Sequence, residues 1–156
     1  MAHVADRILA AVKARLSTLS GGITVVVLPL HLLDVEQLPA IIIDNVVDTI
    51  SSRTEGFFPD EQARRLEFTV QPTLLADSLS LPDVVGDMHE QVEIALTGSQ
   101  DAVNLGGLLT RGLRIEGAEL VIDSESLQQP AAGWRISVSC TYNLRSDVPG
   151  NTEKEL

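Results

Sequence analysis

The residues able to do chemistry in this chain are few and scattered. Three histidines stand at His3, His31 and His89. None is spaced with another histidine, cysteine or glutamate as a metal site needs. The single cysteine, Cys140, excludes an intrachain disulfide and any C-x-x-C redox or zinc motif. It falls on the apolar side of an alternating run, beside Val138 and Tyr142, where a small buried hydrophobe is expected rather than a nucleophile. No serine lies in a G-x-S-x-G setting. The stretch "LGGLLTRG" at 105–112 has glycines but neither G-K-S/T nor a G-x-G-x-x-G after a strand, so it reads as a flexible connection and not as a phosphate loop. Carboxylates are abundant, yet no D-x-D-x-D-G calcium pattern occurs. The expectation is a protein that is not an enzyme, with no cofactor and no metal.

Two clusters carry recognition chemistry instead. The first is a polar segment from Thr49 to Ala63, read as a loop between two β-rich runs. It holds Phe57 and Phe58, two of only five aromatic residues in the chain. Either these rings tuck against the domain's own core or they anchor another subunit, since aromatics dominate interface hot spots. Arg53, Arg64 and Arg65 lie beside them. Arg64 and Arg65 could straddle a strand start, one on each face, or pair with a neighbouring copy. The second cluster is acidic. Asp83, Asp87 and Glu90 recur at i, i+4 and i+7, and residues 77–101 contain no lysine or arginine. A solvated helix usually mixes both signs to gain pairing at that spacing. The stripe is therefore a soluble face, a contact for basic residues, or a channel wall that must not hold DNA.

Composition sets the limits. A chain of 156 residues fits one domain and can bury a real core. That core must be aliphatic, because 44% of residues are hydrophobic and only 3% aromatic. A net charge of −11 repels phosphate and argues against general nucleic-acid binding. "MAHVADRILAAVKARLSTL" has no apolar core of a signal peptide. No apolar run approaches the ~20 residues of a membrane span. A lone cysteine and no targeting segment suggest a reducing, cytoplasmic setting.

The elements follow from periodicity. Val4, Ile8, Val12, Leu16 and Leu19 recur at helical spacing over 2–19, ended by "SGG". "ITVVVL" at 23–28 is a short strand that Pro29 marks as an edge. "LPAIIIDNVV" at 38–47 is apolar on both faces and predicts a central strand. In 64–75, Leu66, Phe68 and Val70 alternate with Arg65, Glu67, Thr69 and Gln71. A second helix runs over 80–98, with Ser80 and Asp83 as a capping box and Val84, Val85, Met88, Val92, Ala95 and Leu96 as its buried face. In "GLRIEGAELVID", Leu113 and Ile115 are out of phase with Ala118, Leu120 and Ile122, which predicts a bulge at Glu116–Gly117. The run 133–145 alternates cleanly, with Trp134, Ile136, Val138, Cys140, Tyr142 and Leu144 on one face. The order α-β-β-β-α-β-β predicts an α+β fold, a mixed and largely antiparallel sheet with two main helices packed on one face. Residues 1–145 form the predicted single domain and 146–156 a flexible tail.

Several stretches together resemble a known family: "RILAAVKARL", the "LPAIII" strand, "RRLEFTVQPTLLAD", the acid-rich helix and the closing "WRISVSCTYNL". Over about residues 5–145 the chain is similar to the tail terminator, or tail completion, proteins of tailed bacteriophages, the minor tail protein U family. "LPLHLLDVEQ" and the C-terminal extension depart from that pattern. The resemblance implies a tail-tube-like α+β domain that assembles as a hexameric ring at the tail–head junction of the virion. Such a ring caps the tail tube, ends its polymerisation and receives the head-completion (neck) protein. DNA passes through its lumen without specific binding, no membrane is involved, and assembly occurs in the bacterial host cytoplasm. The contact residues would be Arg53, Phe57, Phe58, Arg64 and Arg65, with Asp83, Asp87 and Glu90 at an acidic interface or lumen face. The alternatives are another head–tail connector or neck protein, a small ligand-binding regulatory domain, or an enzyme without a recognised motif.

Overall fold

The structure is a computed structural model and describes residues 3–19, 23–27, 40–53, 61–75, 81–123 and 131–145. The first helix, α1, spans Val4–Leu16. Val4, Ile8, Val12 and Leu16 recur every fourth residue and are fully buried, so one stripe of the helix meets the core. His3 caps its start: the ring Nδ1 accepts the Ala5 N–H at 3.0 Å. The helix ends where Ser17 and Thr18 turn their hydroxyls back onto the Lys13 and Arg15 carbonyls. The glycines read as its stop lie outside the described residues.

Five strands form one sheet in the order β1-β2-β3-β5-β4, with β1 (Thr24–Val27), β2 (Ala40–Arg53), β3 (Glu61–Leu75), β4 (Arg111–Asp123) and β5 (Ala131–Arg145). β1 runs parallel to β2, and the other three pairings are antiparallel. The mixed α+β architecture expected from the sequence is therefore present, with β1 at one edge and the "LPAIII" strand inside. Helix α2 (Leu81–Thr97) and α1 share one core with Ile41, Ile43, Leu66, Phe68, Val70, Ile136 and Val138. That side of the sheet is its inner face. Alternation puts Arg65, Glu67, Ser137, Arg135 and Glu119 on the outer face, which is polar as a solvent-facing sheet surface should be.

Two sequence expectations give way here. The segment Thr49–Ala63 is not a loop. β2 continues to Arg53, β3 starts at Glu61, and the pairing runs out to Arg53 opposite Gln62. The connection is residues 54–60. Polar residues hide this extension because Asp48, Gln62 and Arg64 take inner-face positions where apolar residues would have marked the alternation. The stretch 105–112 is not merely a flexible link. A short helix α3 (Gln100–Asn104) and one 3₁₀ turn (Leu105–Gly107) drive Leu105 and Leu109 into the core, 7% and 1% exposed.

The α2 face also differs by one residue. Val85, Met88, Val92 and Leu96 are buried, whereas Val84 is 42% exposed. A stripe at 85-88-92-96 leaves position 84 about one hundred degrees off its axis. Ser80, read as the cap, lies outside the described residues.

Candidate functional site

A bulge in β2 decides which side chains reach the inner face. The register shifts between Asp44 and Val47, and Asn45 takes up the change with φ 54°, a left-handed conformation that asparagine tolerates better than most residues. Its amide donates to the Thr69 hydroxyl across the strand pair at 3.1 Å. Without the bulge, Val47 would continue the face of Ile41 and Ile43. With it, Val46 packs against the core while Val47 turns outward, 52% exposed. Asp48, opposite Leu66, turns inward.

Asp48 organises a polar cluster at the rim of the core. Its Oδ2 accepts the Tyr142 hydroxyl at 2.7 Å and the Arg64 guanidinium at 3.0 Å. Arg64 also donates through Nε to Gln62. The Tyr142 ring is fully buried and meets the His3 imidazole edge-on, with centroids 6.3 Å apart. Burial first, and then the hydrogen bond to Asp48, push the Tyr142 phenol well above its ordinary value. Cys140, next along the same face, is buried and its thiol is pushed up to about 12, chiefly by desolvation. A thiol so held is protonated at neutral pH and is a poor nucleophile. The cluster therefore ties α1, β2, β3 and β5 together.

Arg64 and Arg65 do straddle β3, one on each face. Arg64 belongs to the inner cluster. Arg65, on the outer face, binds Glu67 at 2.6 Å and Glu116 at 3.2 Å. Glu116 sits where β4 changes register between Ile115 and Gly117, the bulge expected there. It also accepts the Ser139 hydroxyl and lies 3.9 Å from Arg114. That hydroxyl, ahead of Arg114 and Arg65, holds its carboxyl below the ordinary value against a smaller opposing effect of burial. The bulge restores phase, so Leu120 faces Trp134 and Ile122 faces Ala132 across the strand pair. These two side chains are nonetheless 50% and 64% exposed, because β4 is the outermost strand.

The remaining sequence-predicted residues divide. Asp83, Asp87 and Glu90 all lie exposed on α2, on the face turned away from Val85, Met88 and Val92. Ile94, 59% exposed, continues that stripe. Arg53 ends β2, but its side chain, like all of Phe57 and Phe58, lies outside the described residues. Asp48 and the β4 edge escape a reading of the sequence: an isolated aspartate near an expected loop gives no signal that a bulge will turn it inward. His89 is half-buried, bonded to Glu93 at 2.9 Å and stacked on Trp134 at 5.0 Å. Among the described residues no group of three or more His, Cys, Asp or Glu could hold a metal ion. Among them, too, no helix is long and apolar enough to cross a membrane.

No family model matches the chain, and none of the curated proteins matches it either.

Proposed function

We propose that this protein is a structural component of a bacteriophage tail. It forms a ring, hexameric by the resemblance, that caps the tail tube, ends its growth and presents the docking surface for the head-completion protein. The observation that carries the reading is the outer half of the β2–β3 ribbon. Residues 47–51 are all exposed, and Val47 and Ile50 are apolar side chains 52% and 41% open to solvent. The sequence places Phe57 and Phe58 in the connection beyond them. Apolar groups gathered toward one end of a ribbon are what a partner subunit covers. A net charge of −11 suits a lumen that DNA must traverse without adhering.

The rest of the chain supplies a frame for that work. The polar cluster of Asp48, Arg64 and Tyr142 fastens this part of the β2–β3 pair to the core. Arg65 keeps about half its side chain exposed (47%) and remains reachable by a neighbour. The test combines a capping assay on tail tubes with negative-stain microscopy of the protein incubated with those tubes. Annular particles and capped tubes are expected. Phe57→Ala with Phe58→Ala should keep the native thermal midpoint and abolish capping. Isolated globular particles that neither form rings nor arrest tubes would reject the proposal.

A further inference from the structure

The β4 edge of the sheet is long and carries apolar residues in its distal half. β4 is 13 residues long, pairs with β5 alone among the described strands, and ends the sheet. An edge strand presents a row of unpaired backbone donors and acceptors, and proteins normally blunt it with inward charges, proline or brevity. Here the distal half does none of these. From Gly117 to Asp123 the pairing to β5 is unbroken, and Leu120, Val121 and Ile122 are consecutive apolar residues. Leu120 and Ile122 stand 50% and 64% exposed on the inner face.

The order of residues along the strand points to the occupant. Arg114, 79% exposed at its side chain and 3.9 Å from Glu116 of its own chain, lies in the first half, and Glu119, 67% exposed and bonded to Arg135 at 3.1 Å, lies in the second, so each keeps most of its side chain open to a further partner. We propose that two copies join antiparallel through their β4 edges about a two-fold axis at Ala118, making one continuous ten-stranded sheet. With Glu116 as the extra residue of the bulge in each copy, Ala118 faces Ala118 and Gly117 faces Glu119. Ile115 then faces Leu120 and Arg114 faces Val121, and the register shift between Arg111 and Arg114 bounds the regular pairing beyond them. Apolar side chains meet apolar ones on the inner face from Ile115 to Leu120. On the outer face Arg114 of one copy lies diagonal to Glu119 of the other, within reach of long side chains. A parallel pairing in register would instead stack Arg114 on Arg114 and Glu119 on Glu119, which like-charge repulsion disfavours. A two-fold contact uses the same patch on both copies and cannot by itself close a six-fold ring. The pairing is therefore a property of the free protein, independent of the ring proposed above.

Sedimentation or light scattering of the intact chain tests the pairing, with cysteine cross-linking to define its geometry. The mass should be twice the 16.8 kDa of one chain. Ile122→Lys and Leu120→Glu each replace a largely exposed side chain, so circular dichroism and thermal midpoint should be retained while the dimer is lost. Arg114→Glu should weaken association about five-fold, and adding Glu119→Arg should restore it, as expected for cross-strand charge pairs. Ala118→Cys brings two thiols across the axis at a spacing that suits a disulfide, so mild oxidation should give a covalent dimer. The parent chain, whose Cys140 is buried, should give none. A monomer at tens of micromolar, or an Ala118→Cys variant that stays monomeric on oxidation, would overturn the pairing. A six-copy mass without the Ala118 cross-link would overturn it while leaving the ring proposal intact.

Discussion

At the scale of single residues, the described polar side chains of the inner cluster and the β4 bulge are matched to neighbours. Tyr142 donates a hydrogen bond from its hydroxyl to Asp48 and stays protonated well above the usual phenol range. A phenol whose folded pKa is raised contributes stability that is complete below the unfolded value of 10.0 and lost as pH climbs past it. Tyr142→Phe should therefore cost about 1–2 kcal/mol near neutrality, from the lost hydrogen bond, and should flatten the alkaline decline above pH 10 measured by denaturant melts. Glu116 has the opposite sign. Its lowered pKa means that its contribution is present above the ordinary carboxyl value of 4.5 and disappears as pH falls through the folded value. Glu116→Gln should remove part of the acid-limb slope and leave neutral stability nearly unchanged, since its ion pairs are solvent-exposed. Cys140 should resist thiol reagents in the native state and titrate fully once denatured, because the residue is 3% exposed and its thiolate is disfavoured.

At the scale of elements, two glycines separate tolerance from necessity. Gly133 in β5 lies against the Pro72 carbonyl of β3, and a Cβ there would collide with that oxygen and its carbon. Gly133→Ala should force the β3–β5 ladder apart and cost about 1–3 kcal/mol, read as a lower thermal midpoint. Gly86 is interior to α2, and a Cβ added there would meet nothing within 4 Å. Gly86→Ala should raise stability by about 0.5–1 kcal/mol through helix propensity alone. The β2 bulge explains why the ribbon is hidden in the sequence. The run 38–47 announces a strand, but the polar residues from Thr49 on read as a loop after it. In the fold Asp44 and Asn45 are the point where the strand changes phase, and it continues to Arg53. By contrast α1, β5 and the β4 bulge are legible, because one face of each is buried and its period survives in the residues.

At the scale of the whole molecule, the sheet carries its helices on one face only. Among the described residues it leaves three surfaces open: the polar outer face, the apolar-bearing end of the β2–β3 pair, and the β4 edge. Reversing Arg64 to Glu would set a second carboxylate beside Asp48, where both members of the pair are 22% exposed. Arg64→Glu should therefore destabilise the fold itself by about 2 kcal/mol, and a loss of assembly in that variant would report folding, not contact. Assembly is better probed at Phe57 and Phe58, or at Val47 and Ile50, whose exposed side chains can be made polar with little expected effect on stability. Ring particles that vanish in Val47→Asp with Ile50→Asp, at an unchanged melting temperature, are the expected outcome.

What the sequence determined by itself was the two main helices, the five strands, their order and the aliphatic core, because helix and strand periods are local and are written wherever one face is buried. It also determined the charge, −11, and the scarcity of reactive groups. Only the tertiary structure decided that a polar stretch is ribbon rather than loop, that Asp48 turns inward to Tyr142 and Arg64, and that Leu120 and Ile122 stand uncovered at an edge. Those facts depend on strand register and on which strand lies last in the sheet, and both are set by pairings between residues far apart in the chain.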